Sequence, residues 1–314
     1  MLTAAEIQAA RERIARVVHR TPMLRSSSLG ELLGGVDLHL KAELFQRTGS
    51  FKPRGVANKL LSLSDEEKAR GFVTISRGNH AQALAYAASA IGTHATIVMA
   101  ADAVPSKVNA TRGYGGEVVL TEGDIWELCQ QLMEERRLTL VHPFDDEAVM
   151  AGQGTVGLEI TDDVPDAETV IVPIGGGGLI SGIAVAVKDA LPGARVIGVE
   201  PAASDAMRQA LAAGASVQIG NRKTIADGVN APYAGEHCLA VVQRYVDEVV
   251  TVEEDEIVAG LRLLLERSKL AAEPAAATPI AALLAGRVMT RPGERVVCLV
   301  SGGNLDLDTL KGVL

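Results

Sequence analysis

Residues 169 to 187 read TVIVPIGGGGLISGIAVAV and carry no charge. An uncharged run of that length can cross a bilayer as a helix. Here a proline and four consecutive glycines sit in its middle, where a spanning helix would be broken. The segment therefore reads as a buried strand, a glycine loop and a buried helix.

The rest of the chain repeats this rhythm. Val36 to Ala42 reads as a strand, followed by a polar loop and a helix from about Pro53 to Leu63. FVTIS, HATIVM and EVVL are short β-rich runs, separated by the helical patterns ALAYAASAIG and PSKVNATRGYG and followed by DIWELCQQLMEERR. ETVIVPI, ARVIGVE, DEVVTV and RVVCLVS continue the strand series. Strands alternating with helices predict an α/β fold, parallel-rich open sheets with helices on both faces. The series breaks near VHPFDDEA (141–148). This places a smaller α/β unit at 69–146, inserted in a larger one built from 1–68 and 147–314.

Composition narrows the function classes. The chain has 314 residues, enough for two lobes. Net charge is −9 and aromatics make up only 3%, with no basic patch, so nucleic acid is excluded as a partner. Cys129, Cys238 and Cys298 are far apart and form no CxxC, which fits a reduced cytoplasmic chain. The N-terminal MLTAAEIQAARERIARVVHR has the apolar spacing of a surface helix that stops before Thr21-Pro22, not the pattern of a leader or a membrane anchor.

Four stretches carry chemistry. IGGGGLISG (174–182) follows an apolar strand and opens a helix, where free N–H groups favour a phosphate. It misses the dinucleotide pattern of glycines at first, third and sixth positions: counting from Gly175 or Gly176, the sixth residue is Ile180 or Ser181. Glu200, ending the next strand, imitates a ribose-binding acid and leaves a nicotinamide oxidoreductase open as an alternative. In TGSFKPRG (48–55), Lys52 precedes a proline suited to a first helical turn. The macrodipole opposes a cation there, so the position suits a lysine tied up as an imine. In TISRGNHAQA (74–83), Ser76, Asn79 and N–H groups around Gly78 to His80 converge as a carboxylate site or as a plain N-cap. In VSGGN (300–304), Ser301 ends the last strand, as a ligand contact or a turn.

Taken together, these stretches resemble the fold-type-II pyridoxal phosphate enzymes, in the branch of serine/threonine dehydratases and serine racemases. The likeness runs from HRTPM (19–23) through SFKPRG, SRGNHAQA, HPFDDEAVMAGQGTVGLEI (142–160), GGGGLISG, GVEP (198–201) and TIADGV (224–229) to SGGN. It implies that Lys52 holds pyridoxal 5′-phosphate as an imine and later moves the substrate α-proton. Gly175, Gly176, Gly177, Gly178 and Leu179 would cradle the phosphate, Asn79 would meet the ring 3′-oxygen, Ser301 the pyridine nitrogen, and Phe51 would pack on the ring. Ser76, Asn79 and His80 would hold the substrate carboxylate. The implied activity is an ammonia-lyase, turning threonine or serine into a 2-oxo acid and ammonia by β-elimination. A homodimer is implied as well.

The sequence departs from the family pattern in three places. Arg77 stands where racemases resemble S-S-G-N-H with a second serine. A permanent guanidinium is a poor general base, which argues against racemisation. Arg77 could instead pair with a second substrate carboxylate, making 3-hydroxyaspartate an alternative substrate, or turn to solvent or to Asp145 or Asp146. Relatives place a divalent ion, Mg or Mn, at the GVEP glutamate and an aspartate six residues on. Here Glu200 is present, the sixth position is Ala206, and Asp205 is adjacent. EPAAA (273–277) lacks the hydroxyl residue often found after its proline.

Overall fold

The computed structural model describes residues 1–76, 78–220, 222–306 and 310–312. Ten strands among them are β1 (Met23–Arg25), β2 (Asp37–Ala42), β3 (Phe72–Ile75), β4 (Ala95–Ala100), β5 (Glu117–Thr121), β6 (Thr139–Leu140), β7 (Thr169–Pro173), β8 (Arg195–Pro201), β9 (Glu248–Val252) and β10 (Arg295–Val300). They form a six-stranded sheet in the order β1-β2-β10-β7-β8-β9 and a four-stranded sheet in the order β5-β4-β3-β6. Every pairing is parallel except β1 with β2.

The uncharged segment resolves into β7, a glycine loop and a helix over Gly178–Ala190. Alternation explains its apolar character. Val170 and Val172 pack into one core and Ile171 into the other. In β10, Val297 and Leu299 face the first core while Val296, Cys298 and Val300 face the second. A strand that buries both faces has no polar side, and each fully buried Val or Ile contributes about 1.5–3 kcal/mol. No helix of the described residues is long and apolar enough to cross a membrane.

Sequence reasoning missed two short strands and the helices Ser27–Leu32, Asp65–Arg70, Glu147–Asp163, Glu236–Tyr245 and Pro274–Leu284. β1 has three residues and β6 two, too short for a period to register. The helices Glu147–Asp163 and Pro274–Leu284 contain glycines and an internal proline, which depress intrinsic helix propensity. Burial of most of their residues overrides that cost.

Candidate active site

The parallel strands deliver loops to one end of each sheet. The glycine loop follows β7, Ser301 follows β10, Ser76 follows β3, and His142 to Asp146 follow β6. Loops at strand carboxyl ends are where open α/β sheets bind ligands. They enclose a cavity of about 510 Å³. Phe51, Lys52, Ser76, Asn79, His80, Gly175 to Gly178, Leu179 and Ser301 all line it. Arg77 lies outside the described residues.

Lys52 opens the Lys52–Ser62 helix, with Pro53 behind it in the first turn. Its Nζ donates to the Pro143 carbonyl at 2.9 Å and lies 5.2 Å from the Phe51 ring centroid. Burial pushes its pKa down to about 8, against the opposing pull of Cys238 and Glu273. A helix N-terminus adds to the same effect. The amine is thereby uncharged over much more of the neutral range than a surface lysine.

The glycine loop is shaped by Phe144. A Cβ at Gly176 would come within 2.3 Å of the Phe144 ring, and one at Gly178 within 2.7 Å of the Phe144 carbonyl oxygen. Gly177 has φ 102°, in the left-handed region. With no side chains in the loop, the first N–H groups of the following helix are left bare toward the cavity. The Phe144 ring is itself held edge-on by His142 and Tyr233, with centroids at 4.7 and 5.4 Å. Gly176→Ala is expected to cost the apoprotein about 1–3 kcal/mol by overpacking and to weaken cofactor binding at least about tenfold. Thermal melting and an absorbance titration with pyridoxal 5′-phosphate check the two effects separately.

His80 is buried, and its Nε2 lies 3.0 Å from the Val141 carbonyl oxygen. A carbonyl only accepts, so Nε2 carries the proton, and Nδ1 has no partner. Burial, aided by nearby Lys52, pushes the ring down to about 3, so it is neutral. What His80 can offer a carboxylate is its backbone N–H, in the first turn of the Asn79–Ala90 helix. Ser76 Oγ accepts from the Gly78 N–H at 3.3 Å.

The cavity also contains groups that sequence reasoning did not assign. Pro143 and Phe144 belong to the quoted HPFDDE stretch, and Glu273 to EPAAA, but neither motif by itself says what its residues touch. Lys107 and Asp227 meet across the lining at 2.5 Å from opposite sides.

Glu200 and Asp205 lie elsewhere. The Glu200 oxygens accept from the Met207 and Arg208 N–H groups at 2.8 and 2.9 Å, and burial raises its pKa to about 8. Asp205 accepts from Arg208 Nε at 2.9 Å and from Gln209 Nε2 at 2.6 Å. Among the described residues, no group of three or more His, Cys, Asp or Glu could hold a metal ion. The two carboxylates are committed to helix capping and ion pairing. A hard cation, which needs several oxygens, would have to share them with these N–H groups and with Arg208.

The site does fit pyridoxal phosphate. A lysine with a depressed pKa suits its aldehyde, the cradle that Cβ atoms would fill suits its phosphate, and Phe51 and Ser301 suit its ring. The comparisons agree. Residues 14–302 match the family model for pyridoxal-phosphate dependent enzymes. The L-threonine ammonia-lyase of Geobacter sulfurreducens is 44% identical over all of this chain and 78% of its own length. The structure of maize serine racemase superposes with a TM-score of 0.94 at 38% identity, over 99% of this chain and 96% of that one. That of the processed form of threonine deaminase isoform 2 from Solanum lycopersicum gives 0.93 at 35% identity, over 98% and 90%. The chain belongs to the pyridoxal-phosphate dependent enzymes.

Proposed function

We propose that this pyridoxal-phosphate dependent enzyme is an ammonia-lyase that converts L-threonine, and L-serine, to a 2-oxo acid and ammonia. The observation that carries the reading is Lys52, a lysine of lowered pKa beside a glycine-lined helix start in one cavity. The substrate class is supported by the ammonia-lyase that is 44% identical over the whole chain.

Gly175 to Leu179 would hold the phosphate through backbone N–H groups, with the helix start supplying a favourable dipole. Phe51 would cover one side of the ring, and Ser301 would meet the pyridine nitrogen. When bound, pyridoxal phosphate draws off the electron pair left on the substrate α-carbon as its proton departs. Lys52 would hold the cofactor through its Nζ, and the same Nζ, once free, would accept the substrate α-proton. Ser76 and the N–H groups of Asn79 and His80 orient the substrate carboxylate. Ser301 is a neutral hydroxyl, so it does not hold a proton on the ring nitrogen as a carboxylate would. That would favour prompt loss of the β-hydroxyl once the α-proton has left.

We also read residues 69–146 as the smaller unit and the enzyme as a cytoplasmic homodimer. The cytoplasmic reading is supported by three buried, unpaired cysteines. A panel of L-threonine, L-serine and the 3-hydroxyaspartates tests the function. L-Threonine should give 2-oxo acid and ammonia in equal amounts. Inversion of serine without ammonia release would overturn the reading in favour of a racemase. Turnover confined to the 3-hydroxyaspartates would move the substrate class to a second carboxylate.

A further inference from the structure

Asn79 stands at the head of a helix that leaves the four-stranded sheet, yet its side chain is held by the other half of the molecule. Its Nδ2 donates to the Glu273 carboxylate, at 2.9 Å to Oε1 and 3.1 Å to Oε2. Its Oδ1 accepts from Asn304 Nδ2 at 2.8 Å. The same Asn304 Nδ2 donates to the Thr48 carbonyl at 2.7 Å. Thr48 carries φ 60° and lies four residues before Lys52.

The order of these bonds fixes the orientation of both amides. The Thr48 carbonyl can only accept, so Asn304 must turn its NH₂ toward it. That NH₂ then faces the Asn79 oxygen. A carboxylate on the other side requires the Asn79 NH₂. The two short contacts to Glu273 come from one nitrogen, whose two N–H bonds diverge by about 120°, the sp² angle of an amide NH₂. The oxygens of one carboxylate are too close together to use both bonds, so a single three-centred bond satisfies the contact. One N–H of Asn79 is left over.

The backbone makes room for this relay. A Cβ at Gly302 would stand 2.6 Å from Glu273 Oε1, and one at Gly49 would stand 2.5 Å from Asn304 Oδ1. Glu273 is 5% exposed, a cost that a charge-assisted bond to Asn79 offsets.

We propose that Glu273 and Asn304 are positioning residues that lock the Asn79 amide so that its remaining N–H is turned toward the cofactor ring. This rests on the reading that Asn79 meets the ring oxygen. Without the lock, the amide is free to rotate and present its oxygen, which would repel an oxygen acceptor. Glu273 also adds a negative charge behind the donor.

Burial pushes the Glu273 carboxyl up to about 7, with Asp227 adding to the rise and Asn79, Lys107 and Lys52 opposing it. The charged end of the relay is therefore lost as pH falls through about 7.

The test uses the full chain loaded with pyridoxal 5′-phosphate and reads the absorption maximum of the bound cofactor from pH 6 to 9. Asn79→Ala, Glu273→Leu, Glu273→Gln and Asn304→Leu are compared with the wild type. Glu273→Leu and Asn304→Leu are expected to move the band in the same direction as Asn79→Ala. They should lower kcat about tenfold, the size expected for a misplaced buried donor, with a smaller change in KM. Glu273→Gln keeps an acceptor for Asn79, so it should restore the band but lose the inflection near pH 7 that the wild type shows. If Asn79→Ala moves the band and the other three leave it unchanged, Asn79 meets the ring without the relay and the proposal fails. If Asn79→Ala leaves it unchanged, the ring-oxygen reading itself fails. Should Glu273→Leu not fold, Glu273→Gln and Asn304→Leu decide.

Discussion

Lys52→Ala is expected to lose at least about 10⁴-fold in 2-oxo acid formation, the combined scale of removing a covalent anchor and a general base. The fold should be almost untouched. The Lys52 amine makes one hydrogen bond, to the Pro143 carbonyl, and losing a bond of that kind costs about 0.5–1.5 kcal/mol. Lys52→Arg should be equally inactive, since it keeps the charge but has no amine to condense with an aldehyde. Borohydride reduction of the loaded wild type, followed by peptide mapping, should find the cofactor on Lys52. Near-wild-type turnover by Lys52→Ala would sink the proposed chemistry.

The lowered pKa gives this prediction a second arm. An amine must be uncharged to attack a carbonyl, and Lys52 passes from charged to neutral near pH 8, not near its ordinary 10.5. Capture of added cofactor by the apoprotein should therefore speed up as pH rises from about 7 to 9 and level off above that. A surface lysine would keep accelerating well past pH 10. Stopped-flow absorbance separates the two profiles.

How much of this was legible in the sequence follows from the range of the interactions. The β7 segment was readable because a strand buried on both faces has to be apolar throughout, and its glycine loop announces itself. Lys52 was readable because a lysine before a first-turn proline is locally awkward. The helix Glu147–Asp163 was not readable, since its glycines answer to distant neighbours. A Cβ at Gly152 would meet the Arg54 carbonyl oxygen at 2.4 Å, and one at Gly182, on the facing helix, would meet that of Met150 at 2.2 Å. These glycines let helices approach backbone to backbone, at the cost of local propensity. The Asn79 relay was hidden for the same reason. Its partners are 194 and 225 residues away, and Glu273 signals nothing locally beyond a residue before a proline.

Arg54 belongs to that hidden class and carries the second large effect. It is 1% exposed, two residues after Lys52 on the same helix. Its Nε and Nη2 grip Glu43, both at 2.8 Å. Its Nη1 and Nη2 also reach Glu159, at 2.7 and 2.9 Å. Lys41, with no exposed surface, pairs with the same Glu159 at 2.7 Å. Two cations thus balance two carboxylates where water does not reach. The guanidinium fork is the only side-chain geometry that serves both carboxylates at once. Arg54→Ala leaves Glu43 without its cation and Glu159 with only Lys41. It is expected to destabilise the fold by about 3–5 kcal/mol, the cost of breaking a buried pair on one side. Arg54→Lys keeps the charge without the fork and should fall between.

The pH dependence distinguishes this from simple loss of packing. In the wild type, burial pushes Glu159 up, but Arg54 and Lys41 outweigh it and hold the pKa below its ordinary value. Glu159 therefore contributes stability above the unfolded value of about 4.5, and loses it as pH falls through the lower folded value. In Arg54→Ala, burial meets less opposition, so the folded pKa rises. The native state then binds more protons than the unfolded chain just above pH 4.5, and stability falls as pH rises. Urea denaturation at pH 5 and at pH 7 should show the gap between variant and wild type narrowing at the lower pH. A gap that is constant across that range would mean that Arg54 acts by filling space and that its charge contributes nothing.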